Sequence, residues 1–468
     1  MKKIFNNDKF KHGLNITILT IIVIGIVVLL NIILNRYSFK KDFSQSKIFD
    51  LAEQTKTTLK NLDKSSKRLD VTLFTIQQDY YLDLKTKNLI LGLLKQYEKS
   101  SRNFNLQIVD IEKNPALAKK YNATAYDAVF DLGGKVKKIS LMDMYNESQF
   151  SGEQAFTGAI INVLNENPSV VYLIQGHKEI GLADITILKK LIEQDGYIIK
   201  TVSILQNGKI PDDAEIVMDI GPKNEFNPKE IEILKSYLNL GGKGIFLMSS
   251  LYEDAKISNL NAMLRGFGVG VNNDIVEDPE RSISSLSIVI PEYGNNDIVN
   301  KLKEYELAMV MLTSRSINIL PEVKDTQKQE LLLSSSKAWG ETSVDADKNQ
   351  KQKLDSNEKK GPLALSVYVT KTISPDKQMS MVVAGNDIFV TDDIIRQSSG
   401  TEPEFILNCI AQLNSKKESI TIRPKPLDVK VFQLPYNKQI VLFYGLVVVI
   451  PCILFVMGIV VWLKRRHL

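Results

Sequence analysis

Four consecutive residues, Gly176-His177-Lys178-Glu179, hold the chain's most chemically suggestive spacing. They follow the apolar run Val170–Ile174, which has the composition of a buried strand. In open α/β sheets ligands gather at the carboxyl ends of strands, and a histidine beside a glutamate there can bind a ligand or move a proton. Asp219 stands near the end of a second apolar run, Glu215–Ile220, just before Gly221-Pro222. A carboxylate at that place can meet a ligand or cap a nearby turn. Gly176, His177, Glu179 and Asp219 are therefore the candidate ligand- or partner-binding residues. No catalytic residue is assigned, because an activated nucleophile is missing from the pattern. Ser249 and Ser250 end a third apolar run without the G-x-S-x-G elbow of a hydrolase. Gly241-Gly242-Lys243-Gly244 lacks the glycine spacing and final hydroxyl of a phosphate-binding loop, so ATP hydrolysis by that route is not expected.

Metal and cofactor chemistry find little support. The two cysteines, Cys409 and Cys452, and the three histidines, His12, His177 and His467, are too scattered for a zinc pattern. No metal and no cofactor is expected. Among 468 residues, 59 basic against 54 acidic side chains leave a net charge of +5. That balance is too even to argue for a nucleic-acid binder, which needs a concentrated basic face, and no nucleic-acid partner is expected.

The elements that must position these residues can be read along the chain. Residues 14–35 and 440–463 are long, uncharged apolar runs, and about 20 apolar residues cross a bilayer core of roughly 30 Å. The first is followed by Asn35-Arg36-Tyr37 rather than a small-residue cleavage site, and is expected to be an uncleaved anchor. The second carries Pro451, tolerated in lipid, with Trp462 and Lys464-Arg465-Arg466 at its end. Two spans imply short cytoplasmic tails (1–13 and 464–468) and a large domain outside the membrane.

Between the spans, residues 48–62 have the spacing of an amphipathic helix. Strands at 71–76 and 104–111, helices at 83–99 and 115–121, and a hairpin around Gly133-Gly134 follow. This order, within residues 36–150, is thioredoxin-like but lacks the redox Cys-x-x-Cys. Residues 151–420 then alternate helices (153–166, 184–195, 228–240, 405–413) with strands (170–174, 197–202, 215–220, 243–249, 364–369, 379–384), which predicts a mostly parallel sheet covered on both faces. Residues 283–290, 315–320 and 328–334 are weaker strand candidates. The polar, lysine-rich stretch 335–362 is expected to be a flexible loop, and 421–439 a proline-containing stalk.

In order along the chain, several segments resemble one known family. Asp42-Phe43-Ser44 through Leu51, Thr55 and Leu59 is similar to its D-L-T…S-L segment after the first span. Leu173 through Glu179 is similar to its G-H-G-E strand and loop, with Lys178 in place of glycine. Pro211-Asp212-Asp213-Ala214 through Gly221-Pro222 and Glu230 to Gly242 match its central block. Ala384-Gly385-Asn386-Asp387 with Asn408, and Ile422-Arg423-Pro424-Lys425, resemble its later segments. The chain thus resembles the GldG-like auxiliary proteins of ABC transporters over nearly its whole length. The resemblance implies an extracytoplasmic, non-enzymatic subunit working with an ABC-2-type permease and a separate ATPase. It also implies a central α/β domain of amidotransferase type without a nucleophile. Lysine at 178 puts a glycine-dependent backbone conformation in that loop in question. Two other readings stay open: an ectoenzyme of the cell envelope using His177 and Glu179 as an acid/base pair, and a purely structural envelope protein.

Overall fold

The computed structural model describes residues 50–76, 84–144, 149–250, 256–321, 323–342, 354–398, 401–414 and 425–426, together with Gly25, Met457, Gly458 and Leu463. The expected spans at 14–35 and 440–463 and nearly all of the stalk lie outside these residues. No helix among the described residues is long and apolar enough to cross a membrane. The described chain is a mixed α/β fold with several sheets.

The first sheet is built by α1 (Glu53–Lys64), β1 (Leu69–Thr75), α2 (Leu84–Ser100), β2 (Phe104–Asp110), α3 (Pro115–Tyr121), β3 (Asp127–Leu132) and β4 (Lys135–Ser140). Its order is β2-β1-β3-β4. β1 and β2 run parallel, and β3 is antiparallel to both β1 and β4. Gly133 and Gly134 take positive φ of 64° and 96° in the two-residue turn between β3 and β4, as a tight hairpin requires.

α4 (Gly152–Leu164) packs against this sheet and against α1 and α2. The contact is organised by the buried Glu153. Its Oε1 accepts from the Ala52 backbone N–H at 2.6 Å and the Thr55 hydroxyl at 2.7 Å. Thr157 bonds Thr55 at 3.0 Å and the Tyr97 hydroxyl at 2.6 Å, so three helices share one buried polar network. Burial pushes the Tyr97 hydroxyl pKa up.

The second sheet is larger. It contains β5 (Val170–Ile174), β6 (Ile198–Val202), β7 (Ala214–Ile220), β8 (Lys243–Leu247), β9 (Val269–Val271), β10 (Ile317–Ile319), β11 (Thr326–Leu333), β12 (Ala364–Ser374) and β13 (Lys377–Ala384), with α5 (Thr186–Gln194), α6 (Pro228–Asn239), α7 (Ser258–Gly266), α8 (Asp297–Glu304) and α9 (Thr401–Leu413) around it. The strand order is β9-β10-β12-β13-β8-β7-β5-β6, with β11 alongside β12. From β13 to β6 five neighbours are all parallel; beyond β13 the pairings turn antiparallel. The weaker strand candidates of the sequence correspond to Ser285–Val289, β10 and β11.

The parallel strands are apolar on alternate residues in both directions because both faces are covered. Leu173, Met218, Ile245 and Val382 face one core with Leu188 of α5 and Phe405 of α9. Tyr172, Val217, Phe246 and Val383 face the other with Leu234 of α6 and Leu260 of α7. α4 and α5 approach closely: a Cβ on Gly158 would lie 2.6 Å from the backbone oxygen of Gln194. The Asn162 side chain donates across this contact to the Glu193 carbonyl at 2.8 Å.

The expectation of a flexible loop over 335–362 is corrected at both ends. Ser335 donates its N–H and its hydroxyl to Asp278, each at 2.7 Å. Trp339–Glu341 forms a strand paired with Ile275–Glu277. Glu358 accepts from the backbone of Thr342 at 3.0 Å and of Asp355 at 2.8 Å. Carboxylates, the distant Asp278 and the stretch's own Glu358, satisfy this backbone, and a polar composition does not reveal that. Residues 343–353 lie outside the described residues.

Gly385, directly after β13, has no room for a side chain, because a Cβ there would run into the backbone carbonyl of Arg315. The Arg315 N–H in turn donates to the Gly385 carbonyl at 2.7 Å. Gly385→Ala is expected to cost on the order of 3 kcal/mol, at the upper end for overpacking against backbone. A thermal or urea unfolding curve of the purified chain would show it; an unchanged midpoint would contradict this packing.

Candidate functional site

Because β5, β7, β8 and β13 run parallel, their carboxyl ends share one edge of the sheet. The loops leaving them bring Gln175–Ile180, Gly221–Pro222, Met248–Ser250 and Gly385–Asp387 to that edge. His177 and Glu179 meet Asp219 there although α5 and β6 lie between them in sequence.

His177 is buried and both of its ring nitrogens are engaged. Nδ1 lies 3.0 Å from Glu179 Oε1, and Nε2 lies 3.1 Å from Glu230 Oε2. Both carboxylates are almost wholly buried, with side-chain exposures of 1% and 3%. Two carboxylate acceptors suit an imidazolium, which donates from both nitrogens. Burial alone would lower the His177 pKa, but the hydrogen bonds and charges of Glu179 and Glu230 outweigh it and raise the value above the ordinary one. The imidazole also stacks on Phe226, with ring centroids 3.7 Å apart and planes 18° from parallel.

Local sequence explains each partner. Asn227 caps α6 and Glu230 occupies its third position, so the two form a reciprocal capping box with bonds of 3.0 Å each way. The same Glu230 Oε2 that receives the Asn227 N–H receives His177. Glu179 folds back, its Oε2 accepting the N–H groups of Gly176 at 2.9 Å and His177 at 2.6 Å. The His177 carbonyl accepts from the N–H groups of Lys223 at 2.9 Å and Asn224 at 3.0 Å, which ties the β5 loop to the β7 loop.

Lys178 keeps the backbone conformation that its lysine put in question. Its φ is +61°, in the left-handed region, where a non-glycine residue bears a cost of roughly 1–2 kcal/mol. The bonds around His177 and Glu179 hold the turn against that cost. Gly176 takes φ +137°, which only glycine adopts readily.

Asp219 caps no turn. It is fully buried, and neither carboxylate oxygen has a hydrogen-bond partner among the described residues. Burial first, then the charges of Glu179 and Asp387, raise its carboxyl well above the ordinary range, while His177 opposes them. Asp387 presses on the same spot: a Cβ on Gly221, whose φ is +67°, would run into its carboxylate. The site thus includes Glu230, Phe226 and Asp387, which sequence reasoning did not place there. The capping signature Asn227-Pro228-x-Glu230 was visible, but nothing local linked it to His177.

In chemical terms, the arrangement is a clasp. A general base needs a free nitrogen and a nucleophile needs an activating partner, and His177 offers neither. Ser249, at the end of β8, gives its hydroxyl to the Pro222 carbonyl at 2.9 Å and serves as a further tie between loops.

Comparison with known proteins adds the following. A family model described as an ABC-type uncharacterized transport system matches residues 168–409, which contain every residue of this site. A model of a domain of unknown function matches residues 45–162. Intraflagellar transport protein 52 homolog from Homo sapiens is 39% identical over 56 residues, and that from Mus musculus 38% over 56 residues. Each match covers 12% of this chain, which spans only 13% of the length of those relatives. Among solved structures, the mmIFT52 N-terminal domain aligns with a TM-score of 0.39 and 14% identity over 53% of this chain and 99% of its own. Exo-beta-1,4-mannosidase Op5Man5 from Opitutaceae bacterium strain TAV5 aligns with a TM-score of 0.31 and 12% identity, over 69% and 49%.

Two outcomes are expected from the site's electrostatics. Because the His177 value is raised on folding, its stabilisation is complete below the unfolded value of about 6.5 and is lost as pH rises through the folded value. The melting temperature of the purified chain should therefore fall as pH rises above about 6.5, and His177→Gln should flatten that fall; equal slopes for both proteins would refute the clasp. Asp219, also raised, has the same sign: its contribution is present below about pH 3.9 and declines as pH rises above it. Asp219→Asn should accordingly melt higher than the parent at pH 7, and a lower melting point would show that the carboxylate has a partner.

Proposed function

Starting from the premise that this chain belongs to the GldG-like family of ABC-type transport auxiliary proteins, we propose that it is a non-catalytic extracytoplasmic subunit working beside a separate ABC-2-type permease and ATPase. In this reading the apolar runs at 14–35 and 440–463 are transmembrane helices that pack beside the permease. Both tails are cytoplasmic and residues 36–439 stand outside. The first sheet has a thioredoxin-like strand order used as scaffold, and the second is an amidotransferase-like layer whose carboxyl edge serves for contact and not for chemistry.

One observation carries the non-catalytic part. At the edge where related architectures place reactive groups, His177 has both nitrogens bound to buried carboxylates. An acid/base pair of His177 and Glu179 would first have to break two charge-assisted hydrogen bonds, each contributing roughly 1.5–3 kcal/mol. That cost sets the envelope-enzyme reading behind the auxiliary one. The end spans are supported by length and by the Lys464-Arg465-Arg466 cluster that follows the second.

Membranes solubilised in mild detergent and captured through a tag on this chain should yield an ATPase and a multi-span permease by mass spectrometry. Protease added to intact cells should cleave the middle region and leave the tails untouched. Recovery of the chain without either partner, or protection of the middle region in intact cells, would overturn the proposal.

A further inference from the structure

A second place on the molecule has the build of a binding site. It lies on the antiparallel side of the large sheet, apart from the His177 clasp. There β11 and β12, the β13 hairpin, the N-terminus of α8 and the end of α9 enclose a cleft of about 410 Å³. That is within the range of small-molecule pockets.

The lining of this cleft is unusual in kind. Seven of its ten residues are asparagine or glutamine, and none is lysine, arginine or histidine. The only formal charge is Asp297, and the only ring is that of Tyr368. The strand register places this lining on one face: Gln327 is opposite Thr370 and Gln329 opposite Tyr368. Part of the set is braced. Asn296 caps α8 by accepting the Ile298 N–H at 2.9 Å and donates its own amide to Gln329. Gln327 and Gln378 are exposed and make no side-chain hydrogen bond to any described residue, so both ends of their amides remain available.

Charge and polarity narrow the ligand class. Without a cationic side chain the cleft has nothing to neutralise a phosphate or carboxylate. Without aliphatic side chains it offers no gain from burying an acyl chain. A single carboxylate among neutral amides supplies too little negative charge to draw a hard divalent cation out of its hydration shell. What remains is a neutral ligand dense in hydroxyl groups. Each primary amide presents an acceptor oxygen and two donor hydrogens, and so can hold a pair of adjacent hydroxyls, which also donate and accept.

We propose that this amide-lined cleft is a binding site for a neutral saccharide, with Gln327, Gln329 and Gln378 as its hydroxyl-reading residues. The site does not depend on the transport reading, since neither the His177 clasp nor the end spans enter the argument.

The test uses the purified full chain in mild detergent, titrated calorimetrically with maltotriose, cellotriose and tri-N-acetylchitotriose, and in parallel with a heparin trisaccharide. At least one neutral trisaccharide should bind with a dissociation constant of about 1 mM or tighter. The double variant Gln327→Ala/Gln378→Ala, altered only at exposed positions, should weaken that binding by about tenfold or more. His177→Gln, which alters no residue lining the cleft, should leave that binding unchanged while still altering the pH dependence of melting. Absence of binding for all three neutral sugars up to about 10 mM, equal affinity in the double variant, or preference for the anionic sugar would each overturn the assignment.

Discussion

The covering of the parallel sheet on both faces is the constraint from which the rest follows. Strands β5, β7, β8 and β13 have apolar side chains above and below, with helices packed on each side. No polar group can be placed mid-strand without a desolvation penalty of several kcal/mol. Polar function is therefore driven to the strand ends and the loops beyond them. His177, Glu179, Asp219 and Asp387 all stand at those ends. Asp219 stands one residue too deep for a loop, and its raised pKa is the consequence of that depth.

The same constraint explains why the clasp is built from charges. Four loops leave a dry edge and must be held together where apolar packing has run out. Charge-assisted hydrogen bonds in such a setting are stronger than in water, provided every lone pair and proton is matched. His177 meets that condition by donating to two acceptors, and Glu179 by collecting two backbone N–H groups as well. Glu153 plays the corresponding part in the first sheet, joining helices α1, α2 and α4 through Thr55, Thr157 and Tyr97. Both halves of the described chain are thus tied by buried polar networks in addition to their apolar cores. The mode of use differs at the amide-lined cleft. There side chains such as Gln327 and Gln378 are left without internal partners, as a surface that receives a ligand requires.

Much of this was legible in the residues. The apolar runs within Val170–Ile174 and Lys243–Leu247 announce buried strands, and Asn227-Pro228 announces the start of α6 through a capping residue and a proline that needs no N–H. Gly133-Gly134 announces its hairpin by the positive φ that such turns need. Other features could not be read because their causes are distant in the chain. Trp339–Glu341 lies in a segment whose lysines and serines look solvated, and it is a strand only because Ile275–Glu277 runs beside it. Glu230 looks like an ordinary helix-capping glutamate until the β5 loop delivers His177 to it, 53 residues away in sequence.

By itself, the sequence determined the local order of strands and helices, the two long uncharged runs near its ends, and the presence of a histidine and a glutamate after one strand. Those follow from periodicity, composition and turn chemistry, which act over a few residues. Only the tertiary structure decided that the histidine is doubly held, that Asp219 is buried without a partner, and that amides from β11, β13 and the N-terminus of α8 share one cleft. These properties are set by desolvation and by distances between atoms on different strands, and both exist only after the sheet has brought remote segments together.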